Sequence, residues 1–571
     1  MFNKYEKISQ DMNIQEEIIV KDIDHLGLVA GLIDDLGIVE HINQLVGEQP
    51  GEIVSPGLAV KAMIINGLGL VSAPLYLFPK FFEGKDTEHL IGEGIQPEHL
   101  NDYRLGRVLD KLYLVGVSQI FTIIALAAAQ KFEVKVETSH LDSSSFHLHG
   151  NYDFEHPSVA FGAQNSPEDE SNSSASNDPI PPVPISITHG YSQGSSPDLP
   201  QFIVQLICTG DGDVPLFFKV ASGNESDSAV FASIIMEFKN QLNLDSLMVA
   251  DSALYTAPNL SILTGCRWLS RVPQRLKQAQ QLVSQLSETD FIDSGITGYR
   301  SSEHKSNYGG VLQRWLVVES SARLESDRRK LSRNIKKSEI EAQQKVRKLS
   351  SVEFACETDA VAAANHLSQQ LKHYNLSDIK TIKSALKADV SSSNHTEACP
   401  LSSIFKVQAK LELDVSAVAK ETKKSGRFIL ATNIMDANEL TADEMIIRYK
   451  EQQSTERGFR FLKDPQFFTD SVFLKSPERI EALALMMGLC LLVYTLGQRF
   501  LRHSLQKTNS TLKNQLRKGT NKPTLRWIFQ CFQSIHVLDI QGVKQISNLT
   551  IERMNTLSFL PVSCRSYYLL L

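Results

Sequence analysis

Residues 441–465 read TADEMIIRYKEQQSTERGFRFLKDP, and the interpretation of the rest of the chain turns on them. They predict one helix with both ends encoded. Thr441 followed three residues later by Glu444 is a capping box, which satisfies two backbone N–H groups at a helix start. Pro465 cannot continue a helix and pushes Asp464 out of helical geometry. Between these ends, Tyr449, Gln452, Glu456 and Lys463 are spaced by three, four and seven residues. That spacing places all four on one helix face. A buried stripe would be apolar, so a polar stripe faces either solvent or a ligand. One acid beside one base on a rigid helix could hold a metal ion and a phosphate together. A solvated face with ordinary ion pairs is the alternative.

The chain is 571 residues long, too long for one core, and about three to five folding units are expected. Its composition, 42% hydrophobic and 22% charged, is that of a soluble globular protein. A net charge of −7 argues against a protein that coats DNA but permits a local basic groove. The seven cysteines are scattered without a C-x-x-C pair, which suits a reducing compartment and offers no zinc framework. Met1 to Gln10 has no apolar signal core, so secretion is not expected. The apolar runs Leu112–Ala129 and Ala482–Gly497 are short for a membrane span and predict buried helices.

Read in order, residues 1–131 predict an all-helical domain, loosely ordered over its first 20 residues. A strand then runs from Phe132 and ends in Asp142 and three serines. Residues 163–184 are rich in Ser, Asn and Pro and predict a flexible excursion. Gln201–Thr209 and Leu216–Val220 predict a hairpin across Asp211-Gly212. A helix over residues 229–242 follows. Leu247–Ala250 is a short strand that delivers Asp251, and Arg267–Val272 predicts a fifth strand. Residues 273–425 read as a mixed α/β insertion with a long charged helix. In it Arg328, Arg329, Lys330, Arg333, Lys336 and Lys337 cluster. Residues 426–501 resume the core. Residues 502–571 predict a basic helical C-terminal region, and its basic residues could follow a phosphate backbone.

The spacing Y-x2-[R]-x3-E-x6-K resembles the signature of bacterial insertion-sequence transposases of the DDE type. The group is the one named for its Y-R-E-K motif, like insertion-sequence family four. Tyr449, Glu456 and Lys463 match it, and Gln452 stands where the pattern has arginine. The resemblance implies an α/β fold with a ribonuclease H-like catalytic core, whose strand order the segments above follow. In that core the first and fourth strands lie side by side and a late helix supplies a third acid. Asp142, Asp251 and Glu456 are then the catalytic and metal-binding residues, holding two Mg2+ ions, with Mn2+ a possible substitute. Tyr449, Gln452 and Lys463 are the DNA-binding residues. The implied activity is binding of terminal inverted repeats, hydrolytic cleavage at the element ends, and joining of the 3′ hydroxyl to target DNA by transesterification. The implied partner is double-stranded DNA, bound by a homodimer in a bacterial cytoplasm, near the nucleoid, with no membrane role. Two other readings stand beside it: an inactive DNA-binding regulator derived from a transposase, and a purely hydrolytic ribonuclease H-like nuclease. Trp268 could stack on a flipped base or pack in the core. Gly458 implies close approach of DNA or of a neighbouring strand.

Overall fold

A computed structural model of the protein describes residues 18–149, 182–190, 199–242, 245–385, 403–465, 474 and 476–570. Residues 163–181 of the predicted excursion lie outside the described residues. The chain divides into two compact units, Met1–Leu269 with Ile447–Leu571, and Ser270–Ile446.

The first unit carries strands β1 (Thr138–His147), β2 (Gln201–Thr209), β3 (Pro215–Ser222) and β4 (Leu247–Ala250), with β5 (Trp268–Arg271) at its boundary. They lie in the order β3-β2-β1-β4-β5. The β1–β2 and β2–β3 pairs are antiparallel, and β1–β4 is parallel. Every residue of β2 is buried, which its nearly unbroken apolar run QFIVQLICT requires of a strand covered on both faces. β1 begins at Thr138 and not at Phe132. The preceding helix, Val117–Lys131, ends at Phe132, and Glu133 turns the chain with φ 50°. Alternation at 132–136 therefore marks a turn, not a strand.

The central support is the helix Pro477–Lys507. It is long and apolar enough to cross a membrane, yet it lies mostly buried inside this unit. Leu485, Leu489 and Leu492 are fully buried along it, because a helix apolar on all sides must be covered on all sides. The helices Leu26–Leu36, Pro56–Gly67, Asp102–Val115 and Val117–Lys131 pack around it. Ser55 caps Pro56–Gly67 by accepting from the Leu58 N–H, with Pro56 at the first helical position.

The two ends of the unit depart from the all-helical expectation. Ile18–Asp22 is a strand paired antiparallel with His536–Ile540, which pairs in turn with Val543–Ser547. The C-terminal helix Val562–Leu569 lies against Leu26–Leu36. A Cβ at Gly31 would sit 2.5 Å from Cys564 Cα, so only glycine admits this approach. The Tyr568 hydroxyl donates to the Asp24 carbonyl at 2.6 Å and accepts from the Leu28 N–H at 3.2 Å.

The second unit contains the antiparallel strands Arg427–Thr432, Val311–Ser320 and Tyr299–Tyr308. Arg427–Thr432 makes six registered pairs with Val311–Ser320. The Arg427 guanidinium donates to Glu319 and to the carbonyls of Val283 and Leu286. A second small core joins Ala360 and Ala364 to Leu376 and Val407. These belong to the helix Glu357–Gln370 and the hairpin Tyr374–Ala385/Ser403–Leu413. The helix Ser321–Ser351 runs 31 residues, and Ala342 is its one buried residue.

Candidate functional site

β1 and β4 run parallel, with Leu141 opposite Ala250 as the last registered pair. One further step along each strand reaches Asp142 and Asp251, so the two acids emerge side by side. β4 ends there, and the chain turns with the Ala253 N–H donating to Asp251 Oδ1 at 2.8 Å. β1 continues to His147 against β2 alone. Asp142 was expected at the end of its strand. It lies inside β1, at the point where the parallel pairing ends.

The stretch 441–465 forms two helices, Ala442–Lys450 and Gln453–Leu462, not one. The capping box is present: the Thr441 N–H donates to Glu444 at 2.8 Å and the Glu444 N–H to Thr441 Oγ1 at 3.2 Å. The break falls at Glu451-Gln452. There the Gln452, Ser454 and Thr455 N–H groups each reach back three residues instead of four. The Thr455 hydroxyl also donates to the Gln452 carbonyl, at 2.9 Å. Such side-chain bonding competes with the regular helical ladder. Tyr449 is therefore half-buried in the last turn of the first helix, and Gln452 is half-buried in the break. Glu456 is exposed in the first turn of the second helix, and Lys463 is exposed at its C-terminal end.

The Gln453–Leu462 helix packs on β1 and β2. Gly458 makes that possible: a Cβ there would lie 3.0 Å from Leu206 Cδ2 of β2 and 3.4 Å from Leu491. The close neighbour implied by Gly458 is thus a strand. The Lys463 ammonium donates to Ser144 Oγ of β1 at 2.7 Å and lies 5.1 Å from the centre of the Phe146 ring. Ser144 is two residues beyond Asp142 on the same strand.

Burial, and after it the charges of Asp251, Asp227 and Glu456, together push the Asp142 carboxyl up to about 7. The Ser143 N–H, donating at 2.9 Å, opposes them. The three expected acids are therefore electrostatically coupled through Asp142. Asp227 is a fourth carboxylate that sequence reading missed. It opens the helix Asp227–Leu242 and accepts from the Ser143 hydroxyl. His140, two residues before Asp142, is fully buried, and burial holds it near 3, hence neutral. Arg457 is paired bidentately with Asp213, and Arg448 with Glu137 and Glu451. Among the described residues no group of three or more His, Cys, Asp or Glu side chains closes around one point as a metal site would. The donor chemistry nevertheless fits a hard divalent cation: the neighbouring carboxylates raise the proton affinity of Asp142, and a cation would relieve that repulsion.

Trp268 and four cations of the basic stretch are engaged within the protein. Trp268 is fully buried and packs edge-on to Tyr255, so it is a core residue. In the basic stretch, Arg499 is buried and bonded to the carbonyls of Phe132 and Glu133 and to Asp211. Arg502 donates to the Pro523 carbonyl, Arg526 pairs with Asp464, and Lys513 pairs with Glu552. Internal acceptors occupy these cations.

A family model for a domain of unknown function (DUF4277) matches residues 18–126. No curated protein matches the chain. Among solved structures, a cryo-EM structure of the piggyBac transposase synaptic complex with hairpin DNA is similar at 8% identity and TM-score 0.37. The match covers 95% of this chain and 86% of that one. The family model described as a transposase DDE domain matches residues 141–494, a span that opens one residue before Asp142 and includes Asp251 and Glu456. The chain belongs to the transposase DDE domain family.

Proposed function

We propose that this chain is an active DNA transposase with a ribonuclease H-like core. It binds the inverted repeats of its own element, hydrolyses the DNA at their ends and joins the 3′ hydroxyl to target DNA. The single observation that carries the reading is the convergence of Asp142 and Asp251 through the parallel register, with Glu456 coupled to Asp142. Asp142, Asp251 and Glu456 would hold divalent cations, which supply charge neutralisation at the reacting phosphate when bound. Lys463, anchored on Ser144 beside Asp142, would hold a phosphate oxygen as a point charge. Tyr449 and Gln452 would position the backbone on the approach to Glu456. A homodimer bound to paired ends, working in a bacterial cytoplasm, is part of the proposal.

The test uses DNA flanking the gene, where inverted repeats are expected, as labelled ends incubated with plasmid and Mg2+. Wild-type protein should nick the ends and join their 3′ hydroxyls to the plasmid. Asp142→Asn, Asp251→Asn and Glu456→Gln should each lower both steps by at least about 100-fold while binding the ends as wild type does. Cleavage at the wild-type rate by any of the three removes that residue from the site. Nicking without joining favours the hydrolytic nuclease, and binding without either favours the inactive regulator.

A further inference from the structure

The basic cluster of the helix Ser321–Ser351 belongs to the second unit and plays no part in the site above. Residues 328–338 hold six cations and no acid. At 3.6 residues per turn, Arg329, Lys330, Arg333, Lys336 and Lys337 fall within about 120° of arc, and Arg347 and Lys348 extend the same stripe. All seven are exposed. The stripe rises roughly 28 Å from Arg329 to Lys348, close to one turn of duplex DNA at about 34 Å. Arg329 is paired with Glu325 and Lys337 with Glu341. Lys330, Arg333 and Lys336 make no ion pair with another described residue.

Lys330 also lines a cleft of about 600 Å³, wholly within this unit. Arg275, Arg323 and Lys424 line it as well. Its two acids are engaged by the protein: Asp327 bonds Arg323 and the Gly426 N–H, and Glu421 lies within 4 Å of Lys372 and His373. An ordinary solvated helix face intersperses both signs. This one concentrates a single sign on a chain whose net charge is −7. Exposed cations at this density repel one another and gain most from a polyanion of matching length.

We propose that the exposed stripe Arg329–Lys348 binds the phosphate backbone of duplex DNA, independently of base sequence. This surface rests on the reading that the chain acts on duplex DNA, but lies outside the carboxylate site. The test measures fluorescence anisotropy of the full chain on a labelled 40-base-pair duplex of mixed sequence, across a fourfold range of salt. The variant Arg329→Gln/Arg333→Gln/Lys336→Gln removes three cations from exposed positions. Its log–log salt slope should be smaller by about 2.7, so wild type loses about 40-fold more affinity than the variant over that range. The control Lys380→Gln/Lys383→Gln/Lys410→Gln removes three exposed cations from the hairpin of the same unit and should keep the wild-type slope. An unchanged slope in the stripe variant, or an equal fall in the control, overturns the proposal. End cleavage by wild type with an unchanged stripe slope would sink this surface and leave the transposase reading standing. A reduced slope without any cleavage by wild type would do the reverse.

Discussion

Mg2+ binding to the cation-free protein should release protons in an amount set by Asp142. Burial and the neighbouring carboxylates hold this group at about 7, so the metal-free site favours its neutral form. A bound cation favours the carboxylate and expels the proton. With a value of about 7, the fraction released per chain is about 0.9 at pH 6, about 0.5 at pH 7 and about 0.1 at pH 8. The sign for stability runs the same way. The contribution of the protonated carboxyl is complete below its unfolded value of 3.8 and is lost as pH rises through about 7. Isothermal titration with Mg2+ in two buffers of different ionisation heat counts the protons directly. Asp142→Asn should bind more weakly and lose most of the release at pH 6. Release of less than about 0.2 proton by wild type at pH 6, or equal release by the variant, would refute the reasoning.

Three further outcomes follow from the packing around the site. Gly458→Val drives a branched side chain into Leu206 and Leu491; it should cost about 1–3 kcal/mol, and an unchanged thermal midpoint would show that the helix does not press on β2. Arg499→Met removes the cation from Asp211, which keeps the Lys135 N–H, and takes the guanidinium donor from the Phe132 and Glu133 carbonyls; a loss of about 3–5 kcal/mol in thermal unfolding is expected, with DNA affinity unchanged. Gln452→Arg should keep or raise affinity for element ends in an anisotropy titration, and a large loss would show that Gln452 does not occupy the arginine's place.

The place of Asp251 was legible because it sits at a strand end that sequence writes plainly. Asp251 follows a four-residue apolar strand, and Asp142 lies at the same step of a strand parallel to it. Glu456 was singled out by the family resemblance that its spacing to Tyr449 and Lys463 carries. The break at Glu451-Gln452 was not legible, since sequence does not show that the Thr455 hydroxyl will bond the Gln452 carbonyl where the backbone tightens. Asp227 was hidden in a polar loop reading, because nothing local shows that a helix start will face Asp142. The strand Tyr374–Ala385 escaped notice because its register shifts between Ser377 and Lys380, which breaks the alternation a strand normally shows. That Arg499, Arg502, Lys513 and Arg526 of the C-terminal basic run are engaged internally was not legible for a general reason: sequence displays a cation but not the carbonyl or carboxylate that will receive it.

The docking of Val562–Leu569 on Leu26–Leu36 has a consequence for biosynthesis. The partners of Leu28 and Asp24 lie about 540 residues downstream. At roughly 5–20 residues per second, a ribosome needs about half a minute to two minutes to deliver them. Through that interval the first helices expose the surface around Gly31 that Cys564 later covers. The unit Ser270–Ile446 can begin to close while translation continues. The larger unit closes last, and until then its bare helices are a target for chaperones and proteases.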